Sequence, residues 1–576
     1  MDNDKIASTL ENIARLLEIK GENPFKFRAY LNAARAVETY PGSLDLEASE
    51  LAKIDGIGKA IAEKIETLVS TGELPYYEEL REAFPPDILT LFDLQGLGAK
   101  KIKALYEELG IHSITKLERA CKDGGVAALK GFGKKSAENF LAAIDLHKKS
   151  AGKFLLDQAT HLAEEILAHL RQHPDVTRID IAGSYRRRKP VVHDIDFIVS
   201  SASPEGVISD FVQLEGVERV LAQGSTKASV IAENGIQCDL RVVSDREFPF
   251  ALSYFTGSKE HNVTMRSRAL ERGWTLNEYR LAKSRDDAET PPEIYTEAEL
   301  QKALGLDYIE PELRENLGEF AAAETHDLPE LVEWTNLRGT FHNHTTSSDG
   351  RATLEQMANA ARQIGLEYLG IADHSKSSFQ ANGLGADRLL AQIEKIKELN
   401  KSYGDDFRVF SGTECDILKD GQLDFEDEIL AQLDYVVASV HGSFSLGEAE
   451  MTNRIIKAIS NPYVTMLGHI TGRILLTREP YKVNIKSVLE AAAETNTIIE
   501  LNANPRRLEL DWTWWPEAKS LGVKCSINPD AHSVEGLGHM MLGVGIARKG
   551  WLTAGDVINT LPLKKMEAWL KSSRGS

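Results

Sequence analysis

The 576 residues carry 67 basic and 87 acidic side chains, a formal net charge of −20, with 42% hydrophobic and 27% charged positions. That length exceeds one hydrophobic core, so about three to five domains are expected. No apolar run approaches the roughly 20 residues that cross a bilayer, so neither a helical membrane protein nor a membrane partner is expected. The charged, amphipathic opening MDNDKIASTLENIARLLEIK reads as a helix rather than a secretory signal. Cys121, Cys238, Cys415 and Cys525 lie far apart with no CxxC pair, against a zinc ribbon or disulfide framework and for a reducing cytoplasm.

The charge is spread along the chain. Residues 1–150 hold 21 basic and 24 acidic side chains, 151–318 hold 20 and 28, and the remainder 26 and 35. No segment is basic as a whole, so nucleic-acid contact has to come from local patches or backbone amides.

The first 150 residues read as short helices, within which one pattern recurs: an apolar residue, Gly-x-Gly, then a helix. The copies are IDGIGKAIAEKI (54–65), LQGLGAKKIKAL (94–105) and LKGFGKKSAENF (129–140). Gly56, Gly58, Gly96, Gly98, Gly131 and Gly133 permit a turn closed to other residues and open each helix with free amides, a natural phosphate site. Lys59, Lys100, Lys101, Lys134 and Lys135 add local charge. The pattern resembles the helix-hairpin-helix element, which implies a grip on DNA backbone without sequence reading. The first copy also resembles the amino-terminal lyase domain of DNA polymerase beta. By offset from its glycines, Lys64 falls at the Schiff-base position, and 5′-deoxyribose-phosphate lyase activity would follow. Lys64 stands in AEKIE, between glutamates that favour its charged form, whereas a nucleophilic lysine needs a lowered pKa.

Residues 179–199, IDIAGSYRRRKPVVHDIDFIV, read as strand, small turn and strand. Gly183 and Ser184 make an amide-rich turn able to approach phosphate, with Arg186 and Arg187 beside it. Asp194 and Asp196, two apart on a strand, share a face, and IQCDLRVV supplies Asp239 from a neighbouring strand. Three such carboxylates suit a pair of Mg2+ or Mn2+ ions for nucleotidyl transfer. His193 lies one residue off that register.

This arrangement resembles the nucleotidyltransferase fold of family X DNA polymerases, and YFTGSKEHNVTMR (254–266) resembles that family's YFTGS motif. The resemblance implies that Tyr254 and Phe255 border the sugar pocket and Gly257 leaves room in it. It also implies that Asn262 faces the base minor-groove edge and Arg266 approaches the template. Lys259 stands where polymerase beta carries an acid.

Residues 319–337 are polar and acidic and read as a linker. Beyond them, short apolar runs alternate with helical segments, an α/β rhythm. LRGTFHNH ends in His342 and His344, YLGIADH in His374, FRVFSGTE in Glu414, YVVASVHG carries His441, YVTMLGH ends in His469, and KCSINPDAH closes on Asp530 and His532. TIIELNANP adds a strand with Glu500 and Asn502 nearby, and the loop TTSSDG contributes Asp349. Ligands at the carboxyl ends of successive parallel strands converge on one face, and His/Asp/Glu chemistry suits two or three Mn2+, Zn2+ or Fe ions. Only His539, of seven histidines here, lies away from a strand end.

The pattern resembles the polymerase and histidinol phosphatase (PHP) domain. Motif by motif, the resemblance makes His342, His344, Asp349, His374, Glu414, His441, His469, Asp530 and His532 ligands; Arg473, in GHITGR, and Arg506 or Arg507, after the seventh strand, read as phosphate contacts. A PHP domain behind a family X polymerase is the layout of bacterial and archaeal family X enzymes. The fold class expected is therefore multidomain: an all-α helix-hairpin-helix region, an α+β nucleotidyltransferase palm and a distorted (β/α)7 PHP barrel. The boundaries read as 1–82 (lyase-like helices), 83–150 (second helix-hairpin-helix domain), 151–250 (palm), 251–318 (nascent-base-pair subdomain), 319–337 (linker) and 338–576 (PHP). The implied activities are gap-filling DNA synthesis for base excision repair and a manganese-dependent 3′–5′ exonuclease, with abasic-site cleavage a further implication. The implied partners are gapped or primer–template DNA and dNTPs, for a cytoplasmic, nucleoid-associated monomer. A nucleotidyltransferase for small substrates would need neither the hairpins nor YFTGS.

Overall fold

The computed structural model describes residues 3–38, 40, 44–54 and 56–572. The chain divides into two compact units, one formed by residues 1–151 with 476–478, the other by the rest.

The first unit is helical. Its opening helix, Asn3–Lys20, buries Ile6, Leu10, Ile13 and Leu17 at helical spacing in one core with residues from the later helices. The three Gly-x-Gly copies share one geometry. Gly56, Gly96 and Gly131 have φ of 89°, 84° and 89°, the left-handed region that favours glycine. In each copy the next amide donates three residues back: Ile57 to Ile54 (3.0 Å), Leu97 to Leu94 (3.2 Å) and Phe132 to Leu129 (3.0 Å). Gly58, Gly98 and Gly133 are then the extended caps of α1 (Lys59–Thr71), α2 (Ala99–Leu109) and α3 (Lys134–Ser150).

The second unit holds two large sheet systems beside two small two-stranded sheets. In the first, β1 (Arg178–Ile181), β2 (Asp194–Ser200), β3 (Val217–Gln223), β4 (Lys227–Ala232) and β5 (Gln237–Val243) form one sheet in the order β1-β2-β5-β4-β3. Only β2 and β5 pair in parallel, and their register sets Asp196 opposite Asp239 and Asp194 opposite Gln237. Helix α4 (Phe248–Thr256) follows, ends at Gly257, and is succeeded at once by α5 (Lys259–Glu271). Ser258 caps α5 by accepting from the His261 amide at 3.1 Å, so the YFTGS motif is the corner between two helices.

Residues 319–337, expected as a linker, are packed. Phe320, Ala323 and Leu331 join the cluster built by Met265, Trp274, Leu300 and Leu313, and buried Glu319 lies 2.9 Å from buried His261.

The second system is parallel throughout. β6 (Gly339–Thr340), β7 (Tyr368–Ile371) and β8 (Arg408–Ser411) form one sheet. β9 (Glu414–Asp416), β10 (Val437–Ser439), β11 (Met466–Leu467), β12 (Ile498–Asn502) and β13 (Cys525–Asn528) form the other. β9 continues β8 after Gly412-Thr413. Parallel bridges His374–Glu414 and Asn343–Ala531 join the two sheets. Burial on both faces matches the near-continuous apolar sequence of these strands.

Candidate active sites

On the first sheet the aspartates sit where strand alternation puts them. Asp196 and Asp239 are register partners, with Asp194 two residues earlier on the face of Asp196. Burial first, then the charges of Asp194 and Asp239, raise Asp196 to about 7. Burial and the charge of Asp239 likewise raise Asp194. Carboxylates crowded in this way repel one another, an electrostatic demand that a divalent ion would meet. Ser229 Oγ donates to one oxygen of Asp239 and Gln237 Nε2 to the other at 2.9 Å.

Gly183 has φ of 65°, and a Cβ there would collide with the Asp196 carboxylate. The Gly-Ser turn therefore lies directly over the acidic face. Arg187 donates from Nη1 to the Thr256 carbonyl (2.6 Å) and from Nε to Glu315 (3.1 Å), tying that turn to the YFTGS corner. Arg186 donates to Thr256 Oγ1 (2.8 Å) and Glu297 (2.7 Å). Asn262 Nδ2 donates to the Tyr254 carbonyl at 2.6 Å, and a Cβ on Gly257 would press on Asn262 Oδ1 at 2.9 Å. Tyr254 and Phe255 stand edge to face with centroids 5.1 Å apart. Arg266 and Asn262 line a small cleft with Tyr254.

The second site gathers all nine expected ligands, Glu414 as the first residue of β9 and the others in the loops that follow strands. Among the described residues, three groups have ligand atoms within 4.8 Å of one another: His344, Asp349, His374 and His532; His342, His344 and Asp530; His374, Glu414 and His441. His469 Nε2 lies 2.8 Å from Glu414 Oε1 and completes the set. Glu414 is central, with His374 at 2.9 Å, His441 at 3.1 Å and His342 at 3.4 Å. His344 lies 3.1 Å from Asp530, whose φ of 52° is one that aspartate tolerates.

Burial lowers His344 to about 4, helped by the charges of His532 and His374. At His441 the same burial is outweighed by Glu414 and Asp416, giving about 10, and at His532 by Asp349 and Asp530, giving about 9. Among the described residues, His342 Nε2, His344 Nδ1, His374 Nδ1, His469 Nδ1 and Glu414 Oε2 are buried and make no well-aligned hydrogen bond, although His374 Nδ1 and Glu414 Oε2 face each other at 2.9 Å. Five such atoms in one pocket of mixed imidazole and carboxylate fit a cluster of divalent ions.

An outer layer fixes these ligands, and sequence reading left most of it out. Glu500 lies 2.6 Å from His342 Nδ1 and accepts the His469 amide at 2.8 Å. Asp416 lies 2.9 Å from His441 Nδ1. Buried Asp373 accepts from the Thr345 amide (2.8 Å) and hydroxyl (2.7 Å) and from Ser348 (2.5 Å), shaping the loop that carries Asp349. The E-x-D of Glu414-Cys415-Asp416 and the E-x-N of Glu500-Leu501-Asn502 were the available signals, each a same-face pair on a strand.

Arg473 is turned to the 507–511 segment: it donates to the Arg507 and Leu508 carbonyls and lies 2.8 Å from Asp511. Arg507 comes nearer the ligands, with Nε 3.6 Å from Asp530. In the helical unit, Lys64 Nζ donates to the Ala60 carbonyl (3.2 Å) and lies 5.1 Å from the Tyr76 ring centroid.

Comparison with known proteins adds the lineage. Residues 1–74 match the helix-hairpin-helix domain family, 88–144 the SAM-like helix-hairpin-helix tandem, 251–315 the DNA polymerase beta thumb, and 340–504 the PHP domain. The chain is 40% identical over 577 residues to the DNA polymerase/3′-5′ exonuclease PolX of Bacillus subtilis (strain 168), covering 99% of this chain and all of that protein. It belongs to the family X DNA polymerases that carry a PHP domain. The PHP half has relatives of its own. A probable phosphatase of Thermoanaerobacter sp. (strain X514) is 29% identical over 245 residues, 40% of this chain and 94% of that protein. One of Clostridium acetobutylicum is 33% identical over 202 residues, 33% and 78% respectively. The polymerase thus joins a nucleotidyltransferase and a phosphoesterase. No helix is long and apolar enough to cross a membrane among the described residues.

Proposed function

We propose that this polymerase fills short gaps in DNA during repair and trims 3′ ends with its PHP domain, the two reactions occurring at separate sites. The observation that carries the reading is that one chain holds both the aspartates sharing a face of β2 and β5 and the cluster of nine His, Asp and Glu side chains.

Asp194, Asp196 and Asp239 would hold two divalent ions, Mg2+ or Mn2+, and the nine PHP ligands up to three. Such ions activate a primer hydroxyl or a water and neutralise charge on the phosphate under attack. The chain's own residues supply position. Gly183 and Ser184 bring backbone amides close enough to meet a triphosphate. Arg187 holds the Thr256 carbonyl, and so sets the corner on which Tyr254, Phe255 and Gly257 border the incoming nucleotide. Arg266 is suited to the template strand. The amides opening α1, α2 and α3 bind backbone phosphate whatever the sequence, which suits an enzyme acting at any gap. At the PHP site, the nine clustered residues would hold manganese for 3′–5′ exonucleolysis.

The test is a primer–template assay with Mg2+ or Mn2+, with and without dNTPs, on wild type, Asp239→Ala and His344→Ala. Asp239→Ala should lose extension and keep nucleolysis, and His344→Ala the reverse. Joint loss of both activities in a folded variant would defeat the two-site reading.

A further inference from the structure

The PHP cluster opens on one side into a cavity of about 470 Å3, within the roughly 300–1,000 Å3 typical of small-ligand sites. His374 and His441 form its inner end, and Ser378, Phe379 and Lys419 part of its outer wall. The Phe379 ring is 77% exposed, although burying such a ring is worth about 1.5–3 kcal/mol to a fold.

The turn that carries it is firmly braced. The Ser377 amide and hydroxyl donate to Asp424 at 2.7 and 2.6 Å. Ser378 Oγ donates at 2.6 Å to Asp416, the same carboxylate that orients His441. The Gly383 amide returns to the Ser378 carbonyl at 3.1 Å, and Ser375 and Leu384 bridge the two ends. An aromatic face is thus presented to water at a fixed place, one residue from the brace of a metal ligand. An exposed ring on a braced turn beside a phosphate-processing site, with a lysine on the same wall, has the parts of a base-stacking platform.

We infer that Phe379 is the platform on which the 3′-terminal base of a DNA strand stacks, seating its phosphodiester against the His374–Glu414–His441 group. The inference rests on the exonuclease reading above and adds the residue that selects a nucleotide over any other phosphodiester. Every base has a π face, so the platform serves all four.

The experiment compares full-length wild type, Phe379→Ala, Phe379→Leu and Phe379→Trp in Mn2+. The substrates are a 5′-labelled single-stranded oligonucleotide and bis(p-nitrophenyl) phosphate, an ester without a base. In Phe379→Ala and Phe379→Leu the ratio of kcat/KM on DNA to that on the ester should fall about 10- to 100-fold, with the loss in KM, and Phe379→Trp should restore it. A 3′-terminal 5-iodouracil irradiated on the protein in EDTA should crosslink to residue 379. An unchanged ratio in Phe379→Ala, a Phe379→Leu variant as good as Phe379→Trp, or no adduct at residue 379 would each overturn the platform. Wild type that cleaves the ester but not DNA would remove the exonuclease reading and the platform with it.

Discussion

Lys549, at the end of a PHP helix (α6, Met540–Lys549), lies 2.6 Å from Glu315, the carboxylate that also holds Arg187 on the polymerase side. The lysine is fully buried, and its amine also donates to the Glu312 carbonyl at 3.2 Å. Burial lowers it to about 8, against the pull of Glu315. A chain of direct contacts therefore runs from the PHP domain through Glu315 and Arg187 to the Thr256 carbonyl. Lys549→Met should raise the KM for dNTPs by about 2- to 30-fold with a smaller change in kcat, the range of couplings of about 0.5–2 kcal/mol. Steady-state incorporation at varied dNTP checks it, with a melting curve to show that the variant is folded. An unchanged KM would mean that the contact only glues the domains.

Gly183→Ala should cost primer extension about 100-fold or more, the scale of misplacing reacting groups by about 1 Å. The new Cβ would meet the Asp196 carboxylate in a backbone conformation that alanine resists. Nucleolysis at the PHP cluster should persist, so paired assays separate this local effect from unfolding.

What was legible in the sequence follows from period and position. Asp194 and Asp196 declared their common face by spacing alone, and the PHP ligands did so by closing successive apolar runs. The recurring Gly-x-Gly gave the three turns, because the left-handed φ of Gly56, Gly96 and Gly131 favours glycine. Asp373 and Glu509 were hidden for a physical reason. They act by accepting hydrogen bonds from loops distant in sequence, as when Glu509 takes the Thr471 amide at 2.8 Å, and no local pattern encodes such a partner. The packed state of 319–337 was masked likewise, because its acidic residue Glu319 is buried against His261 instead of facing water.

Glu500→Gln should weaken metal binding by about 10- to 100-fold, as loss of an outer partner of a ligating histidine does. Glu500 meets His342 Nδ1 and accepts from the His469 amide, Asn502 (3.1 Å) and Asn528 (3.0 Å). An amide in its place turns an NH2 toward some of those donors. Competition between the protein and a chelator for Mn2+ measures the effect. Retained affinity would show that His342 needs no such brace.

Glu297 gives a prediction in pH. It is buried and lies 2.7 Å from Arg186 and 2.5 Å from Arg314. Burial opposes its charge, but the two guanidinium groups win and hold it at about 2 against an ordinary 4.5. A carboxyl depressed in the folded state binds fewer protons there than in the unfolded chain. Its contribution is therefore whole above pH 4.5 and drains away as pH falls towards 2. The shift corresponds to about 3 kcal/mol. Glu297→Gln should be less stable than wild type by about that amount at pH 6, and chemical denaturation repeated at pH 5, 4 and 3 should show the gap closing. A gap constant with pH would mean that the cost of the substitution is steric and that the carboxylate charge contributes nothing to this junction.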